Sequence, residues 1–325
     1  MIQVSVIVCC YNGRSRLRPT IEHLLAQRTN VTWELVFVDN ASTDGSAEFV
    51  RNLWNEKFSN AQLHIVREDR PGLVYARECG VGVAQGEYII FCDDDNWLRD
   101  DYVQMAFELM ERMPKVGVLG GQSVLAPGTE KPEWWGEQQG NYAVGRQLSH
   151  SGNANGRGFI YGAGMVTRTL LARRVFDARF PFLLTGRQGD KCLSGEDGEY
   201  CTRIRMMGYD LYYSENLFYW HDVSASRLNK ENLRRLLDSF DAGELIGEKY
   251  AYALQYQQQG TLQRIAWLLG RVIKYLLSSP KSKKRKKELL EFHLCMMGLC
   301  RQDEDFDVIK GFVLYVKDLK LSLAN

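Results

Sequence analysis

Four short apolar runs, each ending in polar residues and separated by helix-period stretches, restrict the fold of this chain more than any other feature. Val4 to Cys9 (VSVIVC), Glu34 to Val38 (ELVFV), Leu63 to Val66 (LHIV) and Tyr88 to Cys92 (YIIFC) are mostly apolar and bounded by Gly, Asn, Asp or Pro. That pattern predicts buried strands. Between and after them, Leu17, Ile21, Leu24 and Leu25 form one helical stripe, Ala47, Val50, Leu53 and Trp54 a second, and Tyr102, Met105, Ala106, Leu109, Met110 and Met113 a third. Strands that alternate with helices need a crossover each time, so the sheet is expected to be mostly parallel with both faces covered. Val116 to Leu119 predicts a further strand.

The residues that follow the strands carry the chemistry. The first strand runs into Tyr11-Asn12, the second into Asp39-Asn40-Ala41-Ser42-Thr43-Asp44-Gly45, and the fourth into Asp93-Asp94-Asp95-Asn96. Parallel strands share one C-terminal edge, where ligands bind, so three polar clusters converge. The acidic run reads either as an Asp93/Asp95 pair holding a hard divalent cation or as a solvated turn before the helix near Asp100. Asp39 suits a base or ribose, whereas Asp44 and Ser46 read as turn and helix-start residues. Arg77, on a helix after Pro71-Gly72, is placed to reach a phosphate or base edge or to form a salt bridge. The stretch GVGVAQG (80–86) leads into a strand instead of following one, which excludes a dinucleotide fingerprint, and no Walker A motif is present.

From Gly121 to Gly158 the periodicity dissolves into a segment rich in Gly, Asn, Trp and Pro, long enough to fold over a site. Trp134, Trp135 and Tyr142 within it offer flat faces either for stacking on a sugar or for packing under the loop. Regular structure is expected again at Phe159 to Thr167, in a helix around Gly198 to Met207, and in two apolar runs, Leu211 to Tyr213 and Leu217 to Trp220. A boundary near residue 227 separates this part from an all-helical region, 228–325. There an apolar stripe through Leu262, Ile265, Leu268, Leu269, Val272, Ile273 and Leu276 is interleaved with Arg264, Arg271 and Lys274, and the basic run PKSKKRKK (280–287) follows, offset by acidic residues from Asp303 to Asp307. This region reads as peripheral contact with an anionic membrane or as a helical subdomain packed on the sheet.

With Lys plus Arg at 41 and Asp plus Glu at 40, the formal charge is +1, so no global field draws nucleic acid. The eight cysteines have no metal-ligand spacing and read as buried thiols of a reducing, cytoplasmic compartment. The first residues lack the basic n-region of a signal peptide, and no apolar run reaches membrane-spanning length.

These motifs together resemble the family 2 glycosyltransferases, nucleotide-sugar-dependent enzymes of the GT-A fold, over residues 3 to 225. SVIVCCYNG is similar to the family's first strand and turn, VFVDNASTDGS to its nucleotide-binding aspartate loop, and RPGLVYARECGVGVAQGEYIIFCDDDNWL to the segment with its Asp-x-Asp motif. A glycine-rich strand (Tyr161-Gly162-Ala163-Gly164), the pair Glu196-Asp197 and His221 follow in order. The resemblance implies a GT-A catalytic domain over 1–227, with its nucleotide-binding part at about 1–121 and its acceptor part at about 122–227. It implies that Tyr11, Asn12, Asp39 and Arg77 hold the nucleoside, Asp93 the ribose or sugar, and Asp95 with His221 a divalent metal, manganese or magnesium. Asp197 is the implied general base of an inverting transfer; Glu196, Gly162, Trp134 and Trp135 are the implied acceptor or donor-sugar contacts. The implied partners are a nucleotide-sugar donor, UDP-sugar in the first instance, and a glycan or lipid-linked acceptor. A catalytically silent docking protein that keeps the fold is the alternative, although it would be expected to lose an acidic motif. A sugar-1-phosphate nucleotidyltransferase would need a basic, glycine-rich loop where Cys9-Cys10-Tyr11-Asn12-Gly13 stands.

Overall fold

The apolar runs pair as their composition requires. The structure is a computed structural model that describes residues 1–57, 59, 61–188, 191–299 and 304–324, with 187, 188, 191, 192, 280, 281 and 322–324 as backbone only. Strands β1 (Val4–Cys10), β2 (Trp33–Asn40), β3 (Gln62–Glu68) and β4 (Tyr88–Asp93) lie parallel in the order β3-β2-β1-β4. The sheet continues through β5 (Asn96–Leu98), β6 (Val116–Leu125), β7 (Gly152–Asn153) and β8 (Val166–Arg168), in the order β8-β6-β11-β5 with β7 also on β11. Here β9 (Gly186–Gln188) and β10 (Lys191–Leu193) form a separate hairpin, and β11 is Asp210–His221. All eight residues of β2 are buried, as expected of a strand covered on both faces, whereas edge strand β3 is mostly half-buried.

Helices α1 (Leu17–Leu25), α2 (Ser46–Glu56), α3 (Leu73–Val83), α4 (Tyr102–Arg112), α5 (Trp135–Gln138), α6 (Thr169–Val175) and α7 (Glu196–Met206) surround the sheet. Side chains alternate across a strand, so Val4, Val6 and Val8 of β1 pack with Leu17, Ile21, Val50, Tyr102 and Met110, while Ile7 packs in the opposite core with Ala76, Val81 and Ile204. That second core does not stop at residue 227. After it come α8 (Lys230–Gln258), α9 (Thr261–Leu276), α10 (Pro280–Met296) and α11 (Glu304–Ala324), and Tyr250, Phe292, Phe306 and Phe312 join the same cluster. A fully buried Arg203 on α7 ties the two parts together, donating to the carbonyls of Val175, Phe180 and Pro181, to Glu199 and to the Tyr250 hydroxyl.

Three expectations change. The glycine-rich strand expected at Tyr161 to Gly164 is a loop, because the Gly162 N–H turns away from the sheet to a carboxylate and Gly164 sits at φ +69°. Of the expected Phe159 to Thr167 element only Val166 and Thr167 join the sheet, in β8, inserted antiparallel between β4 and β6. The two short runs before His221 are one strand, interrupted by a register shift between Tyr213 and Phe218. Cys10, Cys92 and Cys201 are buried free thiols as expected, Cys9 and Cys79 are free but half-buried, and Cys295 is disulfide-bonded. Cys300 and Asp303 lie outside the described residues, as does the side chain of Cys192.

Candidate active site

The site begins with the turn between β4 and β5. Asp93 ends β4, and its N–H donates to Asn96 Oδ1 (3.2 Å), which tightens the acidic turn. The three carboxylates then separate by partner. Asp94 receives Nε and Nη2 of Arg16 at 2.9 and 2.6 Å, so it anchors the residue that precedes α1. Asp95 faces the end of β11, since β5 runs antiparallel to that strand and pairs Asn96 with His221. His221 Nε2 therefore lies 3.4 Å from Asp95 Oδ1, and Arg227 Nη1 lies 3.2 Å from Oδ2.

Neighbouring positions consequently differ in charge behaviour. Burial acts to raise Asp95, but His221, Arg227 and Arg16 prevail and hold it at about 2. Burial pushes Asp93 up to about 6, against the pull of Arg77. Of the three carboxylates Asp95 is thus firmly ionised, whereas burial raises Asp93 and, against its Arg16 bonds, Asp94.

The second acidic cluster opens α7. Gly195, at φ +121°, turns the chain into the helix, and its N–H donates to Glu196 Oε2 at 3.1 Å. Burial first and Asp197 second push Glu196 up to about 7. Asp197 accepts from the Gly162 N–H at 2.6 Å and from Arg77 Nη1 at 2.8 Å. A Cβ at position 162 would stand 2.3 Å from Asp197 Oδ1 and 2.4 Å from Arg77 Nη2, so only glycine permits this approach. Arg77 also faces Asp93 at 3.8 Å and lies over the Phe91 ring at 5.2 Å, a buried cation shared by both acidic clusters.

A cleft of about 660 Å³ brings Tyr11, Asn12, Asp93, Asp95, Glu196 and His221 together. Its size, and its few convergent polar groups, fit an ordinary small-molecule site. Tyr11 presents an exposed ring, and Asn12 takes a left-handed turn (φ 48°) whose Oδ1 accepts from the Thr43 N–H. Asp39 lies behind this rim, accepting from the Ser42 N–H (3.1 Å) and from Arg67 Nη1 (2.9 Å). The Asp44 carboxylate accepts the Ser46 N–H at the start of α2, which is the helix-start role expected of both residues.

Other expected contacts fall elsewhere. Arg77 does not line the cleft, because its guanidinium is consumed by Asp197 and Asp93 in the layer beneath. Gly162 and Asp197 pack against it, and the Asp197 side chain stays 27% exposed. Trp134 and Trp135 do not line the cleft. Trp135 is buried, and both indoles pack with Tyr142, Val223 and the first turns of α8, leaving Asn141, Tyr142 and Ala143 to border the cleft. Arg16, Ser224 and Arg227 line the cleft without having been expected, and Asn40 joins them from the polar cluster at the end of β2. No motif marks Arg227; it reaches Asp95 because the chain turns back after β11.

Among the described residues, no three His, Cys, Asp or Glu side chains gather closely enough to hold a metal on their own. Asp95 and His221 nevertheless provide an adjacent carboxylate and imidazole, with Arg227 as the cation now opposite them. This two-donor set fits a divalent ion that takes its remaining oxygens from a ligand and water. His221 Nδ1 is buried without a hydrogen-bond partner among the described residues, so none of them orients the far side of the ring.

With this geometry in place, residues 5–175 match the family model for glycosyl transferase family 2. The chain belongs to glycosyl transferase family 2. A relative in the family is TuaG of Bacillus subtilis (strain 168), a glycosyltransferase named for teichuronic acid biosynthesis, 33% identical over 128 residues, 39% of this chain and 49% of that protein. Another is WfaP of Escherichia coli, named a UDP-Glc:alpha-D-GlcNAc-diphosphoundecaprenol beta-1,3-glucosyltransferase, 30% identical over 97 residues, 29% of this chain and 36% of that one. The chain thus spans half the length of these curated relatives or less. The crystal structure of residues 1–349 of S. aureus TarS in complex with UDP superposes with a TM-score of 0.54 at 16% identity, covering 98% of this chain and 92% of that one. The fold is therefore the GT-A type, with additional C-terminal helices.

Proposed function

We propose that this family 2 glycosyltransferase moves a sugar from a nucleoside diphosphate, UDP in the first instance, to a hydroxyl of a glycan or lipid-linked acceptor with inversion. The observation that carries the reading is the placement of two unlike acidic clusters on one cleft: Asp95 with His221 and Arg227 on one wall, and Glu196 with Asp197 behind it on the other. The UDP bound by TarS and the UDP-glucose in the name of WfaP support the choice of donor. Residues 1–227 form the catalytic unit in this reading, with the nucleotide on the part up to about 121.

In this reading the exposed Tyr11 ring stacks on the base, Asn12 and Asp39 set the loop beneath it, and Asp93 meets the ribose or sugar. Arg227 and Arg16, both lining the cleft, neutralise the diphosphate. Asp95 and His221 would hold a manganese or magnesium ion, which when bound supplies Lewis-acid stabilisation to the departing diphosphate. Asp197 accepts the proton of the attacking hydroxyl. Arg77 and the Gly162 N–H occupy two of its roughly four lone-pair directions, which fixes its orientation and leaves the others for substrate. Attack on the anomeric carbon opposite the leaving diphosphate forms one bond as the other breaks, so configuration inverts. A second reading assigns the proton to Glu196, which lines the cleft and titrates at about 7.

Asp197→Asn and Glu196→Gln separate the two. The expected result is loss of UDP release from UDP-sugar in Asp197→Asn, by roughly 100-fold or more, with UDP affinity unchanged. Abolished turnover in Glu196→Gln with activity retained in Asp197→Asn transfers the role to Glu196. A protein whose melting temperature responds to no nucleoside diphosphate, with or without manganese, refutes the donor reading itself.

Contact with an anionic membrane belongs to the same proposal. No helix of the described residues is long and apolar enough to cross a membrane. Instead α9 turns Leu262, Ile265, Leu269, Ile273 and Leu276 outward, with Lys274, Lys283 and Lys284 also exposed. An apolar stripe beside exposed lysines suits adsorption to negatively charged lipid.

A further inference from the structure

A second cavity, of about 590 Å³, runs between α7 and α8. Gly198, Thr202 and Arg205 of α7 line one wall, and Gly243, Gly247, Ala251, Gln255 and Gln258 of α8 line the other. The spacing of three, four and seven residues means that each helix presents a single face to it. Its near end adjoins the active site, since Ser194, two residues before Glu196, lines both this groove and the catalytic cleft. From Glu196 to Arg205 the groove follows α7 for about 14 Å at 1.5 Å per residue.

The glycines divide into two kinds. Gly243 is required for packing, because a Cβ there would stand 2.2 Å from the Ser194 carbonyl oxygen. Gly198 and Gly247 are not, because a Cβ at either position meets nothing within 4 Å. Helix-interior glycines lower helix stability, by the loss of a better helix former, without any compensating contact here. What they leave is open space along the groove.

The lining asks for a ligand of mixed character. Phe159 and Phe240 expose apolar faces at 36% and 37% of their surface. Thr202 is 92% buried (8% exposed) and lines the groove, yet its hydroxyl makes no hydrogen bond among the described residues. The side chains of Arg205, Gln255 and Gln258 likewise make no hydrogen bond or ion pair among them. The two acids on the rim, Glu244 and Glu248, are already paired with Arg285 of α10. Aromatic faces, planar amides and a free guanidinium, with no unneutralised acid, match the alternating apolar faces and hydroxyls of a saccharide.

We propose that this groove binds the oligosaccharide chain of the acceptor, holding the sugars behind the one that receives transfer. The inference rests on the glycosyltransferase reading and names the acceptor class for it. Thr202, Arg205, Gln255 and Gln258 hydrogen-bond the chain, and Phe159 and Phe240 cover its apolar faces.

The test uses the full chain on immobilised glycans of defined sequence, from monosaccharides to octasaccharides. Wild type binds the longer glycans, whereas Gly247→Phe, which fills the groove from an open helix position, binds them roughly tenfold more weakly or not at all. Gly247→Ala, which leaves the space open, binds as wild type, and Arg205→Gln weakens only chains long enough to reach it. UDP titration of each variant, followed by melting temperature, is unchanged. Glycan binding that survives Gly247→Phe overturns the proposal, as does a wild type that binds UDP but no glycan, while leaving the nucleotide reading intact. Conversely, groove-dependent glycan binding without any nucleotide response fails the donor reading alone. If Gly247→Phe abolishes binding of detergent-dispersed undecaprenyl phosphate and spares the glycans, the groove is a lipid site and the proposal falls.

Discussion

Arg77 is the position at which the structure makes its sharpest energetic prediction. Its guanidinium, 7% exposed, lies 2.8 Å from Asp197 and 3.8 Å from Asp93, with Glu196 also in its field. Arg77→Met keeps the length and apolar volume but leaves these carboxylates without their shared cation. Removing one partner of a buried ion pair costs about 3–5 kcal/mol, because the remaining charge is stranded. At about 2–4 °C per kcal/mol for a domain near this size, the melting temperature should fall by on the order of 10 °C at neutral pH. The loss should also depend on pH. Asp93 at about 6 and Glu196 at about 7 are already raised with Arg77 in place, and its removal raises them further. A carboxylate raised in the folded state binds its proton there more tightly than in the unfolded chain. Its contribution therefore falls as pH climbs from about 4 through the folded value. The deficit of Arg77→Met against wild type should be small near about pH 5 and complete by about pH 8, growing by about 1.4 kcal/mol for each tenfold tightening of proton binding in the folded variant. Urea denaturation of both proteins at the two pH values measures it. A deficit under about 1 kcal/mol at the higher pH, or one equal at both, would refute the view of Arg77 as the neutraliser of this site. Arg77→Lys should not restore stability fully, since one ammonium lacks the fork that reaches two carboxylates.

Two further outcomes are expected. Replacing Leu269 and Ile273 of α9 together by Glu should abolish cosedimentation with phosphatidylglycerol vesicles, since each buried aliphatic side chain contributes about 1.5–3 kcal/mol; equal sedimentation of variant and wild type would remove α9 from any membrane role. Gly121→Ala places a Cβ 2.3 Å from the Leu217 carbonyl oxygen at the register shift between the paired strands β6 and β11, so the chain should lose about 1–3 kcal/mol by urea titration, and an unchanged midpoint would contradict that close approach.

Much of the site was legible because it sits at strand ends. Tyr11, Asn12, Asp93, Asp95 and His221 each follow or end a strand whose apolar pattern is plain, and parallel strands deliver their C-terminal residues to one edge. The residues that escaped detection, or took another place, are those whose position depends on a partner distant in sequence. Arg227 reaches the cleft through the chain reversal after β11. Arg77 left a ligand contact and a salt bridge both open in sequence, because nothing around it shows Asp197, 120 residues away, as its hydrogen-bond partner. Trp134 and Trp135 left a sugar platform and packing under the loop both open in sequence, because their packing depends on α8, which begins at Lys230.

Local periodicity by itself determined the alternation of strands and helices, the sheet edge that carries the chemistry and the helical nature of residues beyond 227, since each depends on neighbours within a few positions. Tertiary structure alone decided which carboxylate is free and which is neutralised. Charge on a buried acid is set by the nearest cation and by loss of water, and both are properties of assembled space. The same holds for the groove between α7 and α8: a glycine in sequence permits either close packing or an opening, and only the facing helix settles which.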